Sequence, residues 1–326
     1  MKIVTFTLNP AIDLTIKLEK LVPGEVHRAK TSSTRAGGKG INVSTNIAGY
    51  GIDNAASGFL GSGNAEIFER HFLDMNISDG FVRVEGTNRT NIKIVDTAGT
   101  TDVNLNGFSV SKQNLEKLLS QVDAFFSGAN GIAVLSGSLP SGSPPDFYGP
   151  LVKKLKSLGC TVFLDADGTA LESALSAGIL PDCIKPNIKE ISEWAERPLE
   201  KYEDIIAVAR YLLERGLKLV VVSMGSDGAL FINQTQTIHA WGRTECIAST
   251  VGAGDAMMAG IVSAWAVDPT GCNVQSVQLE HIAKIATAFA ITWLENSACT
   301  EPFIKDKGEF RKRIESAAHK VTLERI

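Results

Sequence analysis

Short apolar runs rich in β-branched residues alternate with longer amphipathic stretches along most of this chain, which is the pattern of βα units around a parallel sheet. Buried strands are predicted over Ile3 to Thr7, Gly131 to Ser136, Thr161 to Asp165 and Lys218 to Ser223. Apolar residues recurring at three- and four-residue spacing predict helices over Asn114 to Phe126, Asp146 to Leu158, Tyr202 to Arg215 and Ala253 to Val267. Each predicted strand runs into a polar or glycine-containing turn at its carboxyl end, where ligands collect in open α/β sheets. Ser136-Gly137-Ser138, Asp165, Lys185-Pro186-Asn187 and Ser223-Met224-Gly225 all fall at that edge. Two segments break the rhythm, 13–35 and 87–108. In the second, Asn91 to Val95 and Thr101 to Asn106 alternate apolar and polar positions, as strands with one wet face do, and a small separate sheet is expected.

A chain of 326 residues with 44% hydrophobic content can bury a large core, and no internal repeat, low-complexity tract or Pro/Ser-rich linker divides it. One domain over 1–326 is expected, carrying the small sheet as an appendage. A formal charge of −4 without a long basic run argues against nucleic acid as a partner. Asn9, Pro10 and Asp13 interrupt the apolar start before a signal-peptide core can form, and no run approaches the roughly 18–20 apolar residues of a membrane span. The five cysteines are scattered, with no C-x-x-C pair, and the five histidines form no cluster, so a cytoplasmic protein with reduced thiols and no zinc site is expected.

The most informative chemistry lies between Ser249 and Gly260, where Gly252, Ala253 and Gly254 lead into an apolar helix with Asp255 at its mouth. Uncovered backbone N–H groups at a helix amino terminus can hold a phosphoryl group in flight. Asp255 then stands where an attacking hydroxyl must lose its proton; the competing reading is a tight turn with Asp255 as a helix cap. Upstream, Arg35-Ala36-Gly37-Gly38-Lys39-Gly40-Ile41-Asn42 offers a second glycine-rich turn before a helix-like stretch. It is not a P-loop, because Gly40 follows Lys39 where Ser or Thr is required and Ser33 occupies the first glycine position. Met257 breaks a dinucleotide fingerprint starting at Gly252, which leaves an NAD-dependent dehydrogenase as a remote alternative. A catalytically silent sugar-phosphate sensor is another, although such a protein would dispense with Asp255.

Together the two glycine-rich segments resemble the paired signatures of the ribokinase-like, or phosphofructokinase B, carbohydrate kinases. Thr7 to Asp13, Arg89-Thr90-Asn91, Ser136 to Pro140, Lys185 to Glu190 and Ser223 to Gly228 extend the resemblance over nearly the whole chain, and it is strongest to the 1-phosphofructokinase branch. The resemblance implies a mostly parallel sheet flanked by helices, with the small sheet as a lid that closes over the sugar and excludes water. It implies transfer of the γ-phosphoryl of ATP, with Mg²⁺, to the 6-hydroxyl of fructose 1-phosphate; tagatose 6-phosphate is the alternative acceptor.

The same resemblance assigns roles. Asp255 is the general base, and the amides of Gly252, Ala253 and Gly254 form the anion hole. Gly38, Lys39, Asn42, Asp13, Arg89, Ser138 and Arg28 face the sugar phosphate. Lys39 and Arg89 suit its phosphate, with Arg28 a third candidate, against solvated-surface readings of all three. Asp13 and Asn42 suit its hydroxyls, with turn stabilisation the rival for Asp13. Lys185 approaches the nucleotide, and Asn187 with Glu190 organises water around Mg²⁺, unless the pair is only a capping box. Ser223, Met224, Gly225, Ser226, Asp227 and Gly228 line the nucleotide pocket, or form a plain hairpin turn. Asp165-Ala166-Asp167-Gly168 replaces the Asp-Ser-Ser-Gly usual in the family. The small sheet can be a private cover or the interface of a homodimer.

Overall fold

Strands that are apolar on both faces need helices on both, and the computed structural model builds that arrangement. It describes residues 1–126, 130–166, 168–176, 178–244, 247, 250–267, 276–296 and 304–326; Asp167, Ser249, Cys246, Cys272 and Cys299 lie outside them. The first half runs β1 (Lys2–Thr7), β2 (Ala11–Lys17), β3 (Thr31–Gly37), α1 (Lys39–Gly49), β4 (Ala55–Gly61), α2 (Glu66–Met75), β5 (Ser78–Val84), β6 (Arg89–Val95), β7 (Thr100–Asn104) and α3 (Lys112–Phe126). Then come β8 (Gly131–Ser136), α4 (Tyr148–Ser157), β9 (Thr161–Asp165), α5 (Gly168–Ser176), β10 (Cys183–Ile184), α6 (Ile188–Trp194) and α7 (Tyr202–Glu214). The chain continues through β11 (Leu219–Ser223), β12 (Ala229–Ile232), β13 (Thr237–Gly242), α8 (Ala253–Val267), α9 (Ser276–Asn296), α10 (Lys307–Ala318) and β14 (Val321–Arg325). The strands and helices expected from sequence form within two residues of their predicted ends.

Among the described residues the large sheet has the order β14-β13-β12-β11-β10-β9-β8-β1-β4-β5. From β11 to β5 every pairing is parallel, and β12, β13 and β14 add antiparallel strands at one edge. Alternate side chains feed two cores. Ile132 and Val134 join α1, α2, α8, α9 and α10 on one face, while Ala133 and Leu135 join α3 to α7 on the other. The chain winds outward from β1 in both directions, through β4 and β5 one way and β8 to β11 the other. That reversal opens a crevice at the carboxyl ends of β1 and β8.

β2, β3, β6 and β7 form the second sheet, in the order β3-β2-β6-β7. It is inserted after β1 and after β5, starting at Ala11 rather than at Asp13 as expected, because the ladder already pairs Ala11 with Gly37 and with Arg89. Its faces differ in chemistry. Asp13, Arg35 and Asn91 share one, and Leu14, Ile92 and Val103 stand in register on the other. Among the described residues no helix is long and apolar enough to cross a membrane.

Candidate active site

Three adjacent parallel strands deliver the charged centre. β9 ends in Asp165, β10 leads directly into Lys185, and β8 runs into Gly137 and Ser138. Asp165 is 3% exposed and takes Lys185 Nζ at 3.1 Å and Lys39 Nζ at 3.4 Å. Burial pushes its carboxyl upward, yet Lys185 and then Lys39 outweigh that cost and hold it below the usual aspartate range. One ionised carboxylate thereby draws two cations to the same point.

Lys39 opens α1 behind Gly38, whose φ of 117° turns the chain out of β3, and Asn42 lies one helical turn on, along the same face. Asn42 donates its Nδ2 hydrogen to Asp255 Oδ2 at 2.8 Å. Asp255 sits in the first turn of α8, 7% exposed. Burial, then the nearby charge of Asp165, raises its pKa to about 7 against the opposing Asn42, Lys185 and Lys39. A carboxylate with that affinity is suited to accepting a proton near neutral pH. Lys185 Nζ also lies at the mouth of α8, since a Cβ on Gly254 would come within 3.3 Å of it.

A second constellation descends from the polar face of the small sheet. Asn91 donates to Asp13 at 2.9 Å and accepts from Arg89 at 3.2 Å; Arg89 Nε donates to the Asn9 carbonyl at 3.2 Å. Gly37 carries no side chain because a Cβ there would strike the Asp13 carboxylate. Asn9 in turn donates to Ser138 Oγ at 3.2 Å, across the β1/β8 crevice. The stem of Lys39 runs past Gly137 beside Ser138, so this amide network and the charged centre meet at Lys39.

Asn187 and Glu190 form a complete capping box on α6: Asn187 accepts from the Glu190 N–H at 2.9 Å, and Glu190 accepts from the Asn187 N–H at 2.9 Å. Asn187 is bridged to Ser223, which begins the connection from β11 to β12. That connection is a short 3₁₀ turn over Gly225–Asp227, closed by the Met224 N–H on the Gly228 carbonyl at 2.8 Å. Gly228 is required by the close passage of β13, since a Cβ would strike the Ala240 carbonyl. His239 Nε2 reaches the Asp227 carbonyl at 2.7 Å and its ring stacks on Trp241, so this histidine is a satisfied core residue.

The fold recurs in known proteins. A family model for pfkB family carbohydrate kinases matches residues 6–306. The chain belongs to the pfkB family. Over 300 residues it is 41% identical to a 1-phosphofructokinase of Xanthomonas campestris pv. campestris, covering 91% of this chain and 92% of that one. It is 34% identical to a 1-phosphofructokinase of Escherichia coli K12, with 89% of each chain covered. The phosphofructokinase-2 of Escherichia coli, solved in complex with substrates and products, superposes with a TM-score of 0.85 at 26% identity, over 98% of this chain and all of that one. Being a pfkB chain accounts for the kinase fold and for ATP as the phosphoryl donor.

Arg28 stands apart from this geometry, exposed on the connection between β2 and β3. Two residues at the centre, Asp165 and Asn9, carry no role assigned from the sequence. Asp165 carried a usable signal, a lone carboxylate closing a Val-Phe-Leu strand at the edge where ligands collect. Asn9 lay inside the Thr7 to Asp13 motif, but only the crevice shows that it spans two strands.

Proposed function

We propose that the chain transfers the γ-phosphoryl group of Mg-ATP to the 6-hydroxyl of fructose 1-phosphate, giving fructose 1,6-bisphosphate. The observation that carries this reading is the buried Asp255 at the amino end of α8, hydrogen-bonded to Asn42 and flanked by Lys39 and Lys185. The names borne by relatives at 34–41% identity support fructose 1-phosphate as the acceptor. Asp255 takes the proton of the attacking hydroxyl late, as phosphoryl transfer requires. The amides of Gly252, Ala253 and Gly254 receive the negative charge that develops on the transferred group. Lys39 and Arg89 bind the phosphate already on the sugar, Asp13 and Asn42 orient its hydroxyls, and Lys185 meets the nucleotide phosphates beside the Ser223 to Gly228 turn.

The donor set fits a hydrated Mg²⁺. Mg²⁺ is held through few carboxylates together with waters and substrate phosphates, and no group of three or more acidic, His or Cys side chains is gathered among the described residues. Glu190 would hold such an ion through water by the oxygen its cap does not use, with Asn187 beside it. When bound, the ion neutralises charge on the phosphoryl oxygens. The small sheet serves as the lid, and its apolar face, with Leu14, Ile92 and Val103 in register, supports a homodimer formed through it; a monomer by sedimentation at micromolar concentration would refute that. Buried free thiols at Cys160 and Cys183 support a cytoplasmic setting.

The test is a panel of phosphorylated and free ketohexoses assayed with Mg-ATP on wild type and Lys39→Met. Fructose 1-phosphate should show the highest kcat/KM. The variant should lose about 10- to 200-fold on it, the worth of one charge-assisted contact, and much less on free fructose. A preference for tagatose 6-phosphate overturns the substrate, and equal losses on both sugars move Lys39 to the transferred phosphoryl group.

A further inference from the structure

The anion hole needs something to hold its backbone still, and α9 supplies it. Trp293, near the end of that helix, donates its indole N–H to the Val251 carbonyl at 2.7 Å. The same ring packs against Gly252, so closely that a Cβ there would come within 2.7 Å of it. Gly252 has a φ of 90°, a conformation that disfavours any other residue, and its carbonyl accepts the first helical bond of α8 from Ala256 at 2.9 Å.

The helix pair makes this contact rigid. α8 and α9 approach so closely that a Cβ on Gly260 would come within 2.7 Å of the Ala286 Cα. From that crossing, about 12 Å back along α8 reaches Gly252, and about 10 Å forward along α9 reaches Trp293. The two helices therefore run antiparallel and bring the indole back to the turn from which α8 starts.

We propose that Trp293 is a positioning residue for phosphoryl transfer, clamping Val251 and Gly252 so that the amides at the mouth of α8 point at the transferred group. The inference rests on the anion-hole reading of Gly252 to Gly254. A clamp of this kind acts on the transition state, where donor alignment counts most, and leaves ground-state binding of the sugar phosphate alone.

The experiment compares Trp293→Phe, which keeps a ring but loses the donor, with wild type and Asp255→Asn, using Mg-ATP and fructose 1-phosphate. Trp293→Phe should lower kcat by about 2- to 12-fold, the range set by one hydrogen bond, with KM for the sugar phosphate and the melting temperature nearly unchanged. Tryptophan emission on binding ADP with aluminium fluoride should change in wild type and stay flat in the variant, although Trp194, Trp241 and Trp265 remain. An unaltered kcat with the emission change retained overturns the proposal. So does a loss of kcat that comes with an equal rise in both KM values and a lowered melting temperature, which marks a purely structural role. If Asp255→Asn also keeps full activity, the placement of the reacting centre at the mouth of α8, on which the anion-hole reading depends, fails; if only Trp293→Phe is silent, the failure belongs to Trp293.

Discussion

Asp255→Asn should make this protein a poor enzyme and a more stable one, with the gain in stability dependent on pH. Asp255 titrates near 7 in the fold against an ordinary value of 3.8, chiefly because burial disfavours its charge. A group whose folded pKa is raised contributes stability that is fully present below the unfolded value and is lost as pH rises through the folded value, here between about 4 and 7. Above pH 7 the folded protein carries a buried carboxylate whose ionisation costs at most roughly 4 kcal/mol, from about three pH units at about 1.4 kcal/mol each. Asparagine keeps an oxygen for the Asn42 amide and carries no charge. Between about pH 5.5 and pH 8 the advantage of the variant should grow by roughly 2 kcal/mol, which for a chain of this size is about 3 °C in melting temperature. The assay is thermal unfolding of both proteins at the two pH values, with kcat measured at the higher one. There the variant should lose about 10²- to 10⁴-fold, the usual worth of a general base. A melting difference that is the same at both pH values would refute the buried, proton-hungry state of Asp255. A kcat above about a tenth of wild type, with chemistry rate-limiting, would refute its role.

Two further outcomes follow from the same centre. Asp165→Asn removes a negative neighbour that raises the Asp255 pKa, so the acid limb of the kcat/KM profile should move to lower pH while its height falls, because Lys39 and Lys185 lose their common anchor; a limb that stays in place or moves up contradicts the coupling. Glu190→Gln keeps an acceptor for the Asn187 N–H and should leave the melting temperature within about 1 °C, yet raise the Mg²⁺ concentration needed for half-maximal rate. Unchanged Mg²⁺ dependence would leave the pair as a capping box alone.

Periodicity located the parallel half of the sheet because β8, β9 and β11 are written in Val, Ile, Leu and Phe. It passed over β4, whose Ala-Ala-Ser-Gly-Phe-Leu-Gly has little β preference and is a strand because every one of its residues is buried between β1 and β5. α9 was silent for a related reason. Its apolar positions run nearly all the way round, so no face stands out, and only packing against α8 reveals that Trp293 touches Gly252. Asp255, Lys39 and Asn42 were legible because glycine-rich turns announce them. Asp165 shows in the sequence only as a carboxylate at a strand end; its two lysine partners, like the reach of Asn9 to Ser138, depend on which strands become neighbours, and that lies in the topology.

The position of β1 bears on how the enzyme comes into being. This strand pairs with β4 on one side and with β8 on the other, so its second partner is made only once the chain has passed residue 131. Asn9, Lys39, Ser138, Asp165, Lys185 and Asp255 become neighbours only when those distant pairings have closed, and long-range parallel pairing is slow because loop entropy is lost before contacts repay it. No fragment ending before α8 contains the base, and none lacking β1 can align the crevice. Recovery of activity during refolding therefore times the closing of the whole sheet, lagging behind the helical signal that local segments restore first.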